Sequence, residues 1–315
     1  MKFSADLFRL SSLLTFFLLI FYLPNSFSQS ADWLDLDTVK AGKFDMGKMW
    51  TFEYPPTEYF KETYGFSPDE EWFKHIQLAT LKFADYCSAS FVSADGLIMT
   101  NHHCARESIT EVSNEEEDFH KDGFIAWDLE DELPVPNLFV DQCIKIEDVT
   151  IEIQKVIKVA ETDSARLAIE SEKIAEIENR YPNNEDTFVK VIPLYFGGKY
   201  SLYHYNRYND VRLVFVPEAQ MGYFGGDYDN FTYPRYNLDC SFFRVYDKDG
   251  KPLKVDNYFK WSEKGAEEGE VVFVPGNPGS TSRLNTIAQL EYARDYIYPQ
   301  TILLLEGYID FLKAI

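Results

Sequence analysis

Apolar and polar positions alternate along CSASFVSADGLIMTNHH, residues 87–103, and the alternation breaks at Ala94-Asp95-Gly96. A period of two with a glycine-bearing break predicts a hairpin, with strands over 87–93 and 96–101. On this reading the double histidine, His102-His103, caps the second strand. The run Ser113-Asn114-Glu115-Glu116-Glu117-Asp118 and the Asp-, Glu- and Pro-rich stretch up to Pro136 carry no apolar period and read as a solvated face and a loop. From Thr150 to Arg180 the period lengthens: Ile153, Val156 and Ile157, then Leu167, Ile174 and Ile177, follow helical spacing, with Thr150 and Asp163 as N-caps and Tyr181-Pro182-Asn183-Asn184 as the stop. Short β-rich runs follow, FVKVIPLYF, YSLYHY and DVRLVFVPE, separated by turn residues as an antiparallel barrel or sandwich requires. After GNPGSTSR, residues 276–283, Ser280 or Thr281 is expected to cap a helix carrying Leu284, Ile287 and Leu290. A second helix runs through Ile302, Leu305, Ile309 and Leu312. No stop signal falls between Phe311 and Ile315, which suggests the N-terminal part of a longer protein.

The N-terminus modifies this picture. A charged start, an apolar stretch from Leu13 to Leu23 and the small-residue segment NSFSQS predict a signal peptide over 1–28, cut before Gln29, because the apolar part is shorter than the roughly 20 residues of a membrane span. The alternative is an uncleaved anchor. Export to the periplasm, the cell surface or the medium follows from the first reading, with no stable membrane span after cleavage. The formal charge is −22, and removing two cations and one anion with residues 1–28 leaves −23. Nucleic acid is therefore an unsuitable partner, since phosphate binding depends on Lys and Arg. The 21 tyrosines and 26 phenylalanines suit a mainly β fold.

Four cysteines, Cys87, Cys104, Cys143 and Cys240, allow three pairings in an exported chain. A Cys87–Cys104 bridge would tie the strand before the double histidine to the residue after it, and free thiols are the alternative. A metal site is not expected: no C-x-x-C or H-E-x-x-H spacing occurs, and neighbours on an extended strand point to opposite faces, so His102 and His103 cannot readily share one ion. His75, His120 and His204 lie in no motif. No cofactor is implied.

Serine peptidases of the chymotrypsin type hold an imidazole between a nucleophile and a buried carboxylate. T-N-H-H-C resembles their T-A-A-H-C, which makes His103 the general base and His102 a structural neighbour. The orienting acid should open a later strand, and YNLDCSFFRVY, residues 236–246, supplies Asp239 ahead of alternating residues. From Met49 onward the chain resembles the bacterial dipeptidyl-peptidases of the dipeptidyl-peptidase 7 and 11 group, which are chymotrypsin-like exopeptidases. The blocks are MWTFEYPP, GLIMTNHHCA, KDGFIAWDLEDELP, YNDVRLVFVPE, MGYFGGDYDNFTYPRYNLDCSFFRVYDKDGKPL and GNPGSTSR. The resemblance implies that His103 and Asp239 are two members of a Ser-His-Asp triad, and that Asn230 and Phe231 in GGDYDNF help to enclose the free N-terminus of a peptide substrate. Without it, that stretch reads equally well as a tight turn.

The expected fold is mainly β with helical insertions. It is part of a chymotrypsin-like double β-barrel over 29–275, with a helical insertion at about 150–181, followed by the truncated start of an α-helical cap domain over 276–315. Family members are about twice this long, with the nucleophilic serine downstream, so these residues alone are expected to be inactive. Ser280 reads as a helix cap, not the nucleophile, because too little chain separates it from Asp239 for a second barrel. The function expected of the intact protein is release of dipeptides from free N-termini through an acyl-enzyme, with peptides as partners and a homodimer admitted. The alternatives are a non-catalytic peptide-binding or surface protein on a degenerate peptidase fold, and a chymotrypsin-like endopeptidase.

Overall fold

The computed structural model describes residues 42–43, 49–114, 116–223, 237–278 and 285–314. Residues 1–28, Asn230, Phe231, Ser280 and Thr281 lie outside the described residues. The chain divides into two compact units, residues 48–282 and a second that includes 285–314.

In the first unit, helices α1 (Thr57–Tyr64) and α2 (Glu70–Ala79) lead into strands β1 (Thr80–Phe83), β2 (Cys87–Phe91) and β3 (Leu97–Thr100). Helices α3 (His102–Val112) and α4 (Phe119–Asp122) follow, then β4 (Phe124–Ile125), β5 (Leu133–Pro134) and β6 (Val140–Asp148). Helices α5 (Thr150–Ile157) and α6 (Asp163–Glu178) precede β7 (Thr187–Leu194), β8 (Lys199–Tyr208), β9 (Val211–Val216), α7 (Ala219–Gly222) and β10 (Ser241–Val245).

The strands form one antiparallel sheet of ten in the order β4-β9-β10-β3-β2-β1-β6-β8-β7, with β5 also on β9. The expected hairpin is present as β2 and β3, shorter at both ends. Its turn is closed by Ser93 Oγ, which accepts hydrogen bonds from the backbone N–H groups of Asp95 and Leu97. Gly96 is required there: its φ is +69°, and a Cβ would lie 2.7 Å from the Val245 carbonyl oxygen. That close approach lets the Val245 N–H reach the Gly96 carbonyl at 2.9 Å and seats β10 beside β3.

The sheet does not close among the described residues. Strand β7 pairs only with β8 and β4 only with β9, so two edges remain. A barrel requires both edges to be paired, so the described residues form an open antiparallel sheet with helices, and the closure expected of a double barrel is not seen among them. Two apolar clusters hold the sheet. Leu81, Phe83, Phe91, Ile98, Ile109, Leu213 and Phe243 gather β1–β3, β9, β10 and α3, and each such buried side chain contributes about 1.5–3 kcal/mol. Ile153, Ile157, Ile177, Val191, Tyr200 and Leu202 pack α5 and α6 on the β7–β8 hairpin.

Both helices of the 150–181 insertion form, but their caps lie one residue earlier than expected. Thr162 accepts from the Ala165 N–H, making Asp163 the first helical residue, while Val149 precedes the helix at Thr150. In the second unit, helix α8 (Ile287–Tyr292) is capped by Thr286 through a capping box with Gln289 and is followed by α9 (Tyr298–Ala314). No helix among the described residues is long and apolar enough to cross a membrane.

Candidate active site

Strand β3 ends at Thr100, and the chain turns into a helix one residue later. The double histidine therefore lies in the first turn of α3, not on the end of a strand. Asn101 occupies the N-cap position with extended backbone angles, yet its side chain makes no capping hydrogen bond. A carboxylate 136 positions away takes that role: Asp239 Oδ1 accepts from the His103 backbone N–H at 3.0 Å. An anion at a helix N-terminus is favoured by the helix dipole and by the unpaired first-turn N–H groups.

Sheet register brings Asp239 there. Strand β10 pairs Ser241 with Thr100, Phe242 with Met99 and Phe243 with Ile98, and the antiparallel ladder continued two residues places 239 opposite 102. Buried Ser241 fixes the approach by donating its hydroxyl to the Asn101 carbonyl at 3.0 Å. The second carboxylate oxygen then lies 2.8 Å from His103 Nδ1. A carboxylate can only accept, so the imidazole carries its proton on Nδ1 and presents a lone pair at Nε2. The ring is 54% exposed, so that lone pair is open to an incoming group. No described residue hydrogen-bonds Nε2.

Cys87 and Cys104 form a disulfide with Cα atoms 6.1 Å apart, joining the start of β2 to the first turn of α3. Cys143 and Cys240 are free thiols. Burial pushes Cys143 up to about 12, and burial together with the Asp239 charge raises Cys240, so both stay protonated at neutral pH. The Cys87 and Cys104 sulfurs and a His103 ring nitrogen lie within 4.8 Å of one another, a spacing that could suit a metal. The disulfide leaves no thiolate for ligation.

His102 is 1% exposed, and neither ring nitrogen has a hydrogen-bond partner among the described residues. Burial lowers its pKa below the ordinary 6.5, with Arg106 adding to the effect and Asp239 opposing it. Gly222 of α7 presses on the ring, and a Cβ there would lie 2.4 Å from His102 Cγ. The adjacent imidazoles are thus sorted by environment: His102 is buried and unpaired, His103 half-exposed and oriented. The remaining histidines have ordinary partners, His75 with Asn257, His120 with Thr110 and His204 with Glu147. The block GNPGSTSR begins against the strand that carries Cys87, where the Asn277 N–H donates to Ser88 Oγ at 2.6 Å. Sequence reasoning missed Asn101, Gly222 and the burial of His102. The only signal was an N-cap residue type, Asn, directly before the histidines.

Residues 44–315 match the family model described as Peptidase S46. The chain is 32% identical over 249 residues to dipeptidyl-peptidase 7 of Capnocytophaga gingivalis, covering 76% of this chain and 35% of that protein. It is 34% identical over 246 residues to the Asp/Glu-specific dipeptidyl-peptidase of Shewanella putrefaciens, covering 73% of this chain and 32% of the other. Among solved structures, Porphyromonas endodontalis DPP11 in complex with substrate aligns with a TM-score of 0.54 at 29% identity, over 62% of this chain and 31% of that one. The chain spans about a third of the length of the curated relatives it matches.

Proposed function

The chain belongs to the Peptidase S46 family, and from that premise we propose that it carries the base and the orienting acid of a serine-type dipeptidyl-peptidase. The observation that supports this best is the double grip of Asp239 on His103, through the backbone N–H and Nδ1, which leaves Nε2 free to take a proton. In this reading a serine Oγ attacks the carbonyl of the second peptide bond's acyl residue while His103 Nε2 accepts its proton. The carbon–nitrogen bond then breaks, the same proton passes to the leaving amine, and water hydrolyses the acyl-enzyme by the reverse use of His103. Asp239 fixes the ring and stabilises the imidazolium without taking the proton. The nucleophile lies in this reading outside these 315 residues, which alone release no dipeptide.

The remaining parts of the reading are a chymotrypsin-like fold completed by further chain, a helical cap domain opening at 276–315, export after removal of residues 1–28, and an amine pocket involving Asn230 and Phe231. A buried amine pocket would make the enzyme an exopeptidase, because closing unpaired polar groups around a blocked N-terminus is costly. The test is hydrolysis by the intact protein of one peptide with a free and with an acetylated N-terminus. Dipeptide release from the free peptide alone, abolished by His103→Ala, is the expected outcome. Cleavage of both peptides indicates an endopeptidase, and cleavage of neither a binding protein.

A further inference from the structure

Asn101 directly precedes the double histidine, and its amide is already committed to Asp239. Nδ2 donates to the Asp239 carbonyl oxygen at 3.1 Å and to Asp239 Oδ2 at 3.2 Å. Both neighbours are acceptors, so the amide's orientation is forced by chemistry. Oδ2 is the same atom that receives His103 Nδ1. The amide therefore spans the backbone and side chain of Asp239 and sets the angle at which the carboxylate meets the ring. The Asn101 backbone is fixed in turn, its carbonyl accepting from Ser241 Oγ at 3.0 Å and from the Cys104 N–H at 3.2 Å. Asparagine at an N-cap normally spends its side chain on the helix. Here it is spent on the carboxylate instead.

We infer that Asn101 is a positioning residue for the His103–Asp239 pair, holding the carboxylate in line with Nδ1 and drawing part of its charge into a second hydrogen bond. The inference rests on the peptidase reading. Its consequence follows from competition at Oδ2. Without the amide, the carboxylate is less well aimed, and its undivided charge holds the protonated imidazole more tightly, so the free base is recovered only at higher pH. Among the described residues, the other titratable or charged groups near the pair are His102, which feels the Asp239 charge, Cys240 beside Asp239, and Arg106 on α3 and His120 on α4, which act on His102. None of them donates a hydrogen bond to the Asp239 carboxylate.

The experiment measures kcat, KM and the pH profile of kcat/KM for the intact protein carrying Asn101→Ala, Asn101→Asp or His103→Ala, with active sites titrated so that misfolded enzyme is not counted. For Asn101→Ala the expected result is a fall in kcat of about tenfold with KM nearly unchanged, and an acid limb moved to higher pH by about half a unit. Asn101→Asp, which replaces the donor by a second carboxylate, should shift the limb further. Asn101→Ser keeps a helix-start residue while shortening the donor; it is read in the same way should the alanine variant fold poorly. Unchanged kcat and an unmoved limb in Asn101→Ala, with His103→Ala inactive, overturn the inference and leave the peptidase reading standing. Full activity in His103→Ala overturns the reading itself.

Discussion

Two neighbouring imidazoles with the same side chain have opposite fates because one faces the core and the other faces Asp239. His102 is buried with both nitrogens unpaired, and its folded pKa lies below 6.5. Protonating a histidine depressed in this way costs the folded state stability. Its contribution is intact above the unfolded value and is lost as pH falls through 6.5 toward the folded value. Urea unfolding at pH 8 and pH 5 should therefore show an acid-induced loss of stability that His102→Leu reduces; an equal loss in both proteins would refute this assignment. Gly222→Ala forces a methyl against the same ring and should cost about 1–3 kcal/mol. At this scale the local motifs around His103 and Asp239 were enough to expect the contact that the structure places at 2.8 Å. Asn101 and Gly222 were not legible, because their roles depend on partners far along the chain, at 239 and 102.

The alternation over 87–101 and the helical spacing over 150–180 were sufficient to locate the hairpin and both insertion helices, since each element shows its apolar face within its own length. Boundaries were less legible. Thr162 and Asp163 are both capping types, and only the backbone angles decide between them. After β3, the polar run Asn101-His102-His103 fits either a strand end or a first helical turn; the Asp239 carboxylate on the His103 N–H tips it to helix. The disulfide joins hairpin and helix across 17 residues. Replacing Cys87 and Cys104 together by serine should lower stability by about 3 kcal/mol in denaturant unfolding. Activity should fall as well, because the first turn of α3 loses its tether. An unaffected unfolding midpoint would show that packing alone holds this corner.

The described residues of the whole molecule form an open ten-stranded sheet whose site contains an oriented base and no described nucleophile. The strands were legible one by one. Their order was not, because pairing β10 with β3 depends on contacts more than 100 residues apart and on Gly96 admitting Val245. Side chains on α9, among them Leu303 at 69% and Leu304 at 73% exposed, make this second unit strongly apolar on its surface. In the proposed reading these residues hold the base and the orienting acid but not the nucleophile. A purified fragment of residues 29–315 should accordingly release no dipeptide, and turnover by it comparable to the intact protein would place a nucleophile within these residues.

The central claim is that Asp239 makes His103 a base by fixing its tautomer. It is tested most directly by kcat/KM of Asp239→Asn in the intact protein, since the amide keeps the shape of the carboxylate while presenting a donor to Nδ1. A fall of about 10⁴-fold with an unchanged unfolding midpoint is the result this account predicts. Activity within tenfold of wild type would contradict it.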